Sequence, residues 1–240
     1  MRWLVATVAE TVPETKDAVT LRLDVPDWPG HRAGQHVDVR LTAEDGYSAQ
    51  RSYSIASPPG TDERLELTVV RIDDGEVSPY LTTDLDVADQ LELRGPIGGY
   101  FVWDADDTRP VLLVGGGSGV VPLMAMLRHH ATIDHGGAMH LVYSARTQAD
   151  VLYAAELDAL IGPRRAMTVT LTRDPSDRSD RRRGRVDAAL LADVGWPSTA
   201  EPRCYVCGPT PFVEAVAQAL VELGHRASDI RTERFGPTGA

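Results

Sequence analysis

Val111-Leu112-Leu113-Val114 and the segment directly after it, Gly115-Gly116-Gly117-Ser118-Gly119, decide the fold of the second half of the chain. A continuous apolar run is typical of a strand that is buried in a parallel sheet. An apolar, helix-like run begins at Val120. The stretch therefore predicts a strand, a glycine loop and a helix, in which glycine lets backbone amides approach a pyrophosphate at the helix N-terminus.

The rest of the second half repeats this alternation. Further strands are predicted at residues 139–143, 167–172, 203–207 and 229–235, and further helices at residues 151–160, 187–192 and 211–223. Five strands joined by helices predict a doubly wound parallel sheet, with ligands at the carboxyl ends of the strands. Residues 115–119, 144–146, 172–173 and 207–209 all fall at such ends.

The glycine loop departs from the common dinucleotide pattern G-x-G-x-x-G. Gly115 and Gly117 match it, but Val120 stands where the third glycine belongs. The next strand ends in Ser144 and Arg146, where the common NAD fold places an acidic residue for the ribose. The sequence predicts a nucleotide-binding unit that differs from the ordinary NAD dehydrogenase.

The first half of the chain shows short strands that are separated by turns. They are predicted at residues 4–11, 19–25, 36–40, 51–55, 65–71 and 90–94. Such spacing predicts a small antiparallel barrel, here of six strands with Greek-key order. Gly34, before the third strand, is expected to supply an unusual backbone angle. A polar, acidic stretch at residues 104–108 sets the predicted boundary, giving an all-β domain over 1–104 and an α/β domain over 105–240.

Two segments of the predicted barrel suit a ligand with a phosphate and an aromatic ring. In the first, Arg51-Ser52-Tyr53-Ser54, arginine offers a fork of donors, tyrosine a flat ring and serine a hydroxyl. In the second, residues 75–78, Ser78 is expected to cap a short helix whose free amides favour phosphate. That helix also has a purely structural interpretation, as a crossover that closes one end of the barrel.

Composition limits the classes of protein. The 240 residues carry a formal net charge of −11, which argues against a general nucleic-acid binder. No apolar run approaches the roughly 20 residues of a membrane span, and the N-terminus lacks the apolar region of a signal peptide, so a cytoplasmic protein is expected. The only cysteines, Cys204 and Cys207, cannot form a disulfide framework or a four-cysteine iron–sulfur site.

The two cysteines lie three positions apart on one predicted strand, so their side chains point to opposite faces. Cys204 is expected in the core, and Cys207, at the strand tip, is the better candidate for touching a ligand. Residues 173–185 are rich in arginine. Three interpretations stay open for that segment: a solvated loop, a clamp for an extra phosphate, or a docking patch for an acidic partner.

Taken in order, five motifs resemble the ferredoxin–NADP⁺ reductase superfamily over roughly residues 3–235. They are Arg51-Ser52-Tyr53-Ser54, residues 75–78, residues 115–122, Cys207-Gly208-Pro209 and Glu233-Arg234-Phe235. The resemblance implies a flavin-binding barrel followed by an NAD(P)H-binding domain, without an iron–sulfur domain. It implies FAD rather than FMN.

The resemblance also implies roles for single residues. Arg51 would hold the flavin phosphate with Ser52, Gly75, Val77 and Ser78 around it, while Tyr53 packs on the flavin ring and Ser54 reaches its N5. For the nucleotide and the reaction centre, the residues implied are Gly115, Gly117, Ser118, Gly119, Cys207, Gly208, Pro209 and Phe235. From the residue types themselves, Ser144, Arg146 and Arg173 suit a 2′-phosphate, which favours NADPH over NADH.

The sequence thus predicts a flavoprotein oxidoreductase that passes a hydride from NAD(P)H to bound flavin and electrons onward to a separate acceptor, such as a ferredoxin, a haem protein or an oxygenase. The positions expected nearest the reaction are Ser54, Cys207 and Phe235. A free-flavin or ferric reductase is the alternative within the same fold. A non-catalytic binding module is the alternative of another class. No metal site is predicted.

Overall fold

The computed structural model describes residues 2–43, 45–60, 63–173 and 182–235. By their contacts the residues fall into two units. The first unit comprises the chain up to Trp103 together with Met124–His129. The second unit comprises Asp104–Leu123 and the chain from His130 onward.

The first unit is built on six antiparallel strands. They are β1 (Leu4–Thr15), β2 (Ala18–Asp24), β3 (His36–Thr42), β4 (Ser48–Ser54), β5 (Arg64–Val70) and β6 (Gln90–Ile97). Their order in the sheet is β4-β3-β6-β1-β2-β5. The two edges meet through a bridge between Ile55 and Leu67 and a hydrogen bond from the Ala56 amide to the Glu66 carbonyl, 2.8 Å long. The predicted six-stranded antiparallel barrel is confirmed.

The alternation of side chains along the strands fills the barrel. On β2, Leu21 and Leu23 are fully buried, whereas Arg22 between them is exposed, because successive side chains point to opposite faces. Before β3, Gly34 has φ of +100°, and a Cβ there would lie 1.9 Å from the Phe101 carbonyl oxygen. The prediction that Gly34 supplies a special backbone angle is confirmed.

The second unit is a parallel sheet with helices. The strands are β7 (Val111–Gly116), β8 (Met139–Ala145), β9 (Arg165–Leu171), β10 (Arg182–Arg183), β11 (Arg203–Pro209) and β12 (Ile230–Phe235). Their order is β10-β9-β8-β7-β11-β12. The chain order reverses between β7 and β11, which is where doubly wound sheets bind ligands. The predicted doubly wound sheet is confirmed.

The sheet has one more strand than the five predicted. Arg182 and Arg183 pair in parallel with Thr170 and Leu171 at its edge. These two residues were expected within the arginine-rich loop, and a two-residue strand leaves no hydrophobic period to detect. Residues 174–181 of that predicted loop lie outside the described residues.

The helices are α1 (Val120–Thr132), α2 (Ala154–Leu160), α3 (Ala188–Val194) and α4 (Thr210–Glu222). Helix α2 is shorter than the predicted 151–160, because Tyr153 adopts left-handed backbone angles with φ of 57° and interrupts it. Helix α3 begins after Asp187, whose carboxylate accepts from the Leu190 amide at 2.8 Å and caps it. Within the described ranges, no helix combines the length and apolar character needed to cross a membrane.

An ion-pair cluster ties together the amino ends of three strands in the second unit. Asp229, directly before β12, accepts hydrogen bonds from Arg203 at 2.8 Å, Arg226 at 3.0 Å and Arg109 at 3.1 Å. Although burial opposes its ionisation, the hydrogen bonds from Arg226 and Arg109 lower the pKa of Asp229. Arg203 begins β11 and Arg109 precedes β7, so the cluster stabilises the end of the sheet opposite the ligand-binding edge.

Candidate functional site

Arg51 lies on β4 with about a third of its side chain exposed. Its Nη2 donates to a Glu76 carboxylate oxygen at 2.6 Å, and its Nη1 donates to the Gln50 carbonyl at 2.7 Å. Among the described residues these bonds use only part of the guanidinium's donors. The remaining N–H groups suit a phosphate, for which the planar fork of arginine is well shaped.

Glu76 joins Arg51 to the segment 75–78 that the sequence predicted as the second half of the phosphate site. Its carboxylate also accepts the hydroxyl hydrogen of Tyr47. The hydrogen bonds from Tyr47 and then from Arg51 lower the pKa of Glu76, so it stays ionised at neutral pH. Glu76 was not selected as a site residue from the sequence, although it lies within the segment 75–78 that was predicted to bind phosphate.

Ser78 does not cap a helix as predicted. Its hydroxyl accepts from the Ile72 amide at 3.0 Å, and the helical turn Tyr80–Asp84 has Pro79 at its cap with no side-chain hydrogen bond. Gly75 makes this turn possible, because a Cβ there would lie 2.9 Å from the Ile72 carbonyl oxygen. The Ser78 hydroxyl hydrogen remains available to donate to a ligand. Val77, between them, is fully buried.

Tyr53 and Ser54 follow Arg51 on β4. Tyr53 is half-buried against the barrel core, and burial, opposed by Arg51, raises the pKa of its hydroxyl to about 12. The Ser54 hydroxyl is buried and finds no hydrogen-bond partner within the described chain. An unsatisfied buried hydroxyl costs free energy unless a ligand pairs with it. Ser52 is oriented differently, since its hydroxyl donates to Asp38 at 2.6 Å.

In the second unit, the structure shows why positions 117 and 119 of the segment 115–119 are glycine. Gly117 has φ of +56° and faces open space, as a ligand cradle requires. Gly119 packs on β11: a Cβ there would lie 2.1 Å from the Cys207 carbonyl oxygen. Val120, in place of the third fingerprint glycine, begins helix α1, so Gly119 provides the close approach between helix and strand.

The same approach brings the two predicted nucleotide motifs together. Cys207 pairs with Gly115 across β11 and β7, at the point where the strand order reverses. The half-buried Ser118 lies in the turn that leads into α1. Residues 115–119 and 207–209 therefore lie together at the carboxyl ends of β7 and β11 within the second unit and form one candidate site.

Phe212 is a residue of this site that sequence reasoning missed. Its ring covers two glycines: a Cβ on Gly116 would lie 2.8 Å from the ring, and one on Gly208 would lie 2.9 Å from it. The short distance from the glycine-proline turn to the start of α4 was the only signal in the sequence. Gly116 and Gly208 thus make room for an aromatic ring.

Cys207 lies near the carboxyl end of β11 and is fully buried as a free thiol, and its contact with a ligand stays a prediction. Burial, and next the Glu233 carboxylate, raise the pKa of this thiol well above its ordinary value. A thiol that stays protonated is a poor nucleophile. Cys204 is buried in the core of the sheet, as predicted.

Glu233 lies on β12 opposite Cys207, and Phe235 pairs with Pro209 at the end of the same strand. Burial raises the pKa of Glu233 to about 7. This carboxyl therefore gains or loses its proton near neutral pH, a property typical of functional sites. Phe235 is half-buried and is the last described residue.

The three residues predicted for a 2′-phosphate divide into one buried and two exposed. Ser144 is 9% exposed. Arg146 and Arg173 are exposed at the ends of β8 and β9, and the Arg173 amide donates to the Arg146 carbonyl at 2.7 Å. The two arginine side chains therefore start from hydrogen-bonded backbone positions at the carboxyl ends of neighbouring strands.

Comparison with known proteins bears on both units. Residues 6–102 match the oxidoreductase FAD-binding domain family, and residues 113–218 match the oxidoreductase NAD-binding domain family. Together these matches assign a flavin-binding barrel followed by a nicotinamide-binding sheet, which is the organisation of a two-domain flavoprotein reductase. The chain belongs to the ferredoxin–NADP⁺ reductase superfamily, and the sequence-based prediction of this family is confirmed.

Individual relatives agree. The chain is 32% identical over 237 residues to the glycine betaine monooxygenase reductase subunit of Chromohalobacter salexigens, covering 96% of this chain and 64% of the relative. It is 36% identical over 213 residues to NADH oxidoreductase HCR of Escherichia coli, covering 88% of this chain and 62% of the relative. It thus spans less than two thirds of these curated relatives. The FAD/NAD-binding domain of nitric oxide dioxygenase from Vibrio cholerae superposes with a TM-score of 0.86 at 26% identity, covering 98% of this chain and 99% of that domain.

Proposed function

We propose that this chain passes reducing equivalents from NAD(P)H, through bound FAD, to a separate electron acceptor. The observation that carries the proposal is strand β4, which presents Arg51, Tyr53 and the buried Ser54 hydroxyl within one short stretch. An arginine fork, an aromatic ring and a hydroxyl without a protein partner fit the phosphate, the ring and a ring nitrogen of a flavin. FAD is favoured over FMN by family resemblance.

When bound, the flavin supplies the redox chemistry, accepting a hydride from the nicotinamide and releasing electrons onward. The residues of this chain contribute binding and orientation. Arg51 and the Ser78 hydroxyl hold the phosphate, Tyr53 packs on the ring, and Ser54 donates or accepts one hydrogen bond. Ser52 supports the strand through Asp38, so any part that it plays in binding goes through its backbone.

For the nicotinamide nucleotide, Gly117 and Ser118 offer backbone amides at the start of α1 to the pyrophosphate. Residues 207–209 line the adjoining strand end, with Phe235 beside Pro209. Cys207 contributes packing, because its carbonyl lies against Gly119 and burial raises the pKa of its thiol. Glu233 holds a proton at the same strand end, at a pKa suited to exchange near neutral pH.

We propose NADPH as the preferred donor, because Arg146 and Arg173 are exposed arginines whose backbones are hydrogen-bonded at the carboxyl ends of neighbouring strands, and arginine suits a 2′-phosphate. Arg146→Ala is then expected to raise the KM for NADPH more than the KM for NADH. The matched control is Arg182→Ala, on β10, where the side chain already pairs with Asp193 at 3.1 Å. An equal rise for both nucleotides would refute the phosphate clamp.

The acceptor is proposed to be a separate protein of the oxygenase, haem or ferredoxin type. One relative is named as a monooxygenase reductase subunit, which supports an acceptor of the oxygenase type. A free-flavin or ferric reductase is the second candidate, and a non-catalytic module the third. The two free thiols suit a reducing compartment, so the cytoplasm is the proposed location.

The deciding experiment is the visible spectrum of the purified protein before and after anaerobic addition of NADPH, and separately of NADH. A flavin band that bleaches with either nucleotide is expected, with the faster one identifying the donor. Turnover with free flavin, with ferric salts and with added carrier proteins then separates the acceptors. Failure to bind FAD or FMN on reconstitution would refute the proposed function.

A further inference from the structure

We propose that Glu76 biases flavin binding by charge, favouring FAD, whose phosphate on Arg51 is one singly charged half of a pyrophosphate, over FMN, whose phosphate is a monoester. The inference rests on the proposed function, because it takes Arg51 as the phosphate ligand. It adds a specificity-determining residue that touches Arg51 itself.

Glu76 is held in place beside the phosphate position. Its carboxylate accepts from Arg51 Nη2 at 2.6 Å and from the Tyr47 hydroxyl, and it lies between Gly75 and Val77 in the segment proposed to complete the phosphate site. Half of the Glu76 side chain is exposed. A phosphate that accepts a hydrogen bond from another N–H group of the Arg51 guanidinium would therefore lie about 5 Å from the Glu76 carboxylate.

The two flavins differ in the charge that they bring to that position. A phosphate monoester carries about −2 near neutral pH, whereas each phosphate of a dinucleotide carries about −1. The attraction to Arg51 and the repulsion by Glu76 are each about twice as large for the monoester as for the phosphate of FAD that binds Arg51. Glu76 therefore offsets part of the advantage that Arg51 alone would give to FMN. At this separation near the protein surface, one extra elementary charge changes affinity by about four- to tenfold.

The experiment measures dissociation constants of flavin-free protein for FAD, FMN and riboflavin by calorimetry at low ionic strength, in wild type and in Glu76→Gln. The amide keeps the size of the side chain and removes its charge. Glu76→Gln is expected to tighten FMN binding about four- to tenfold more than it tightens FAD binding. Binding of riboflavin, which has no phosphate, is expected to stay unchanged.

Tyr47→Phe is the matched control, since it removes one hydrogen bond to Glu76 and leaves the carboxylate charge. It is expected to leave the ratio of FMN to FAD affinity as in wild type. Arg51→Ala, which removes the phosphate ligand, is expected to weaken both phosphorylated flavins and to bring their affinities toward that of riboflavin.

An unchanged ratio of FMN to FAD affinity in Glu76→Gln would overturn the inference and would show that Glu76 only orients Arg51. An equal change for riboflavin, or the same shift of the ratio in Tyr47→Phe, would also overturn it. Wild-type protein that binds none of the three flavins would refute the proposed function itself. Wild-type protein that binds flavin, with an unshifted ratio, refutes the role of Glu76 alone.

Discussion

Replacing Glu233 by glutamine tests the electrostatics of the second unit without any cofactor. Burial raises the pKa of this carboxyl from 4.5 to about 7. The folded state therefore holds the proton more tightly than the unfolded state. Its contribution to stability is complete below about pH 4.5 and is lost as the pH rises through about 7. The difference corresponds to about 3 kcal/mol as an upper limit, which water penetration reduces.

Glu233→Gln keeps the shape of the side chain and cannot ionise. Residue 233 of the variant should therefore make no pH-dependent contribution to the free energy of unfolding between about pH 4.5 and about pH 7. Relative to wild type, the variant is expected to gain about 2–3 kcal/mol between about pH 5 and about pH 8. Urea unfolding of flavin-free protein, followed by circular dichroism, measures this gain. The control is Glu214→Gln on the exposed face of α4. If both variants differ from wild type by the same amount at the two pH values, Glu233 ionises normally and the reasoning is wrong.

Three further predictions use the same unfolding or binding assays. Gly119→Ala forces a Cβ to 2.1 Å from the Cys207 carbonyl oxygen and should lower the free energy of unfolding by about 2–4 kcal/mol. The control is Gly162→Ala, where the new Cβ would lie 3.5 Å from an arginine side-chain tip and should cost under about 1 kcal/mol. Equal losses in the two variants would contradict the packing role of Gly119. Asp229→Asn weakens three ion pairs and should lower the free energy of unfolding by about 2–4 kcal/mol. An unchanged free energy of unfolding would show that the cluster does not stabilise the sheet. Arg51→Ala should weaken FAD binding about 10- to 100-fold, measured by calorimetry, and an unchanged affinity would remove Arg51 from the phosphate site.

The sheet of the second unit could be predicted because its strands are apolar runs bounded by glycine and proline. Residues 111–114 need no tertiary information to be recognised as a buried strand. By contrast, β10 is set entirely by its pairing with β9 and carries two arginines, so nothing local indicates it. The segment 151–160 was predicted as one helix, but the left-handed angles of Tyr153 delay the start of the helix to Ala154.

The site was predicted at the level of segments and less well at the level of single atoms. Ser78 followed by Pro79 is a good local cap pattern, yet the Ile72 amide occupies the hydroxyl because the chain turns back at Gly75. In the same way, only tertiary packing shows that Gly116 accommodates Phe212 and that Gly117 faces open space. Residue types indicate what a segment can bind, and the distant neighbours decide which of its atoms are available.

The net charge of −11 does not prevent this chain from binding anionic nucleotides. Charges separated by more than a Debye length, about 8 Å at physiological ionic strength, are largely screened. The charged groups close to each phosphate position decide whether an anion binds, and these groups differ between the two units. Arg51 bonds the ionised Glu76, whereas Arg146 and Arg173 are exposed arginines whose backbones are hydrogen-bonded at the carboxyl ends of β8 and β9. The carboxylate beside Arg51 would disfavour a phosphate with a second negative charge. The two exposed arginines would favour an added 2′-phosphate. The two proposals therefore agree: a carboxylate beside Arg51 would disfavour the more highly charged flavin phosphate, and two exposed arginines without such a carboxylate bonded to them among the described residues would favour NADPH as the donor.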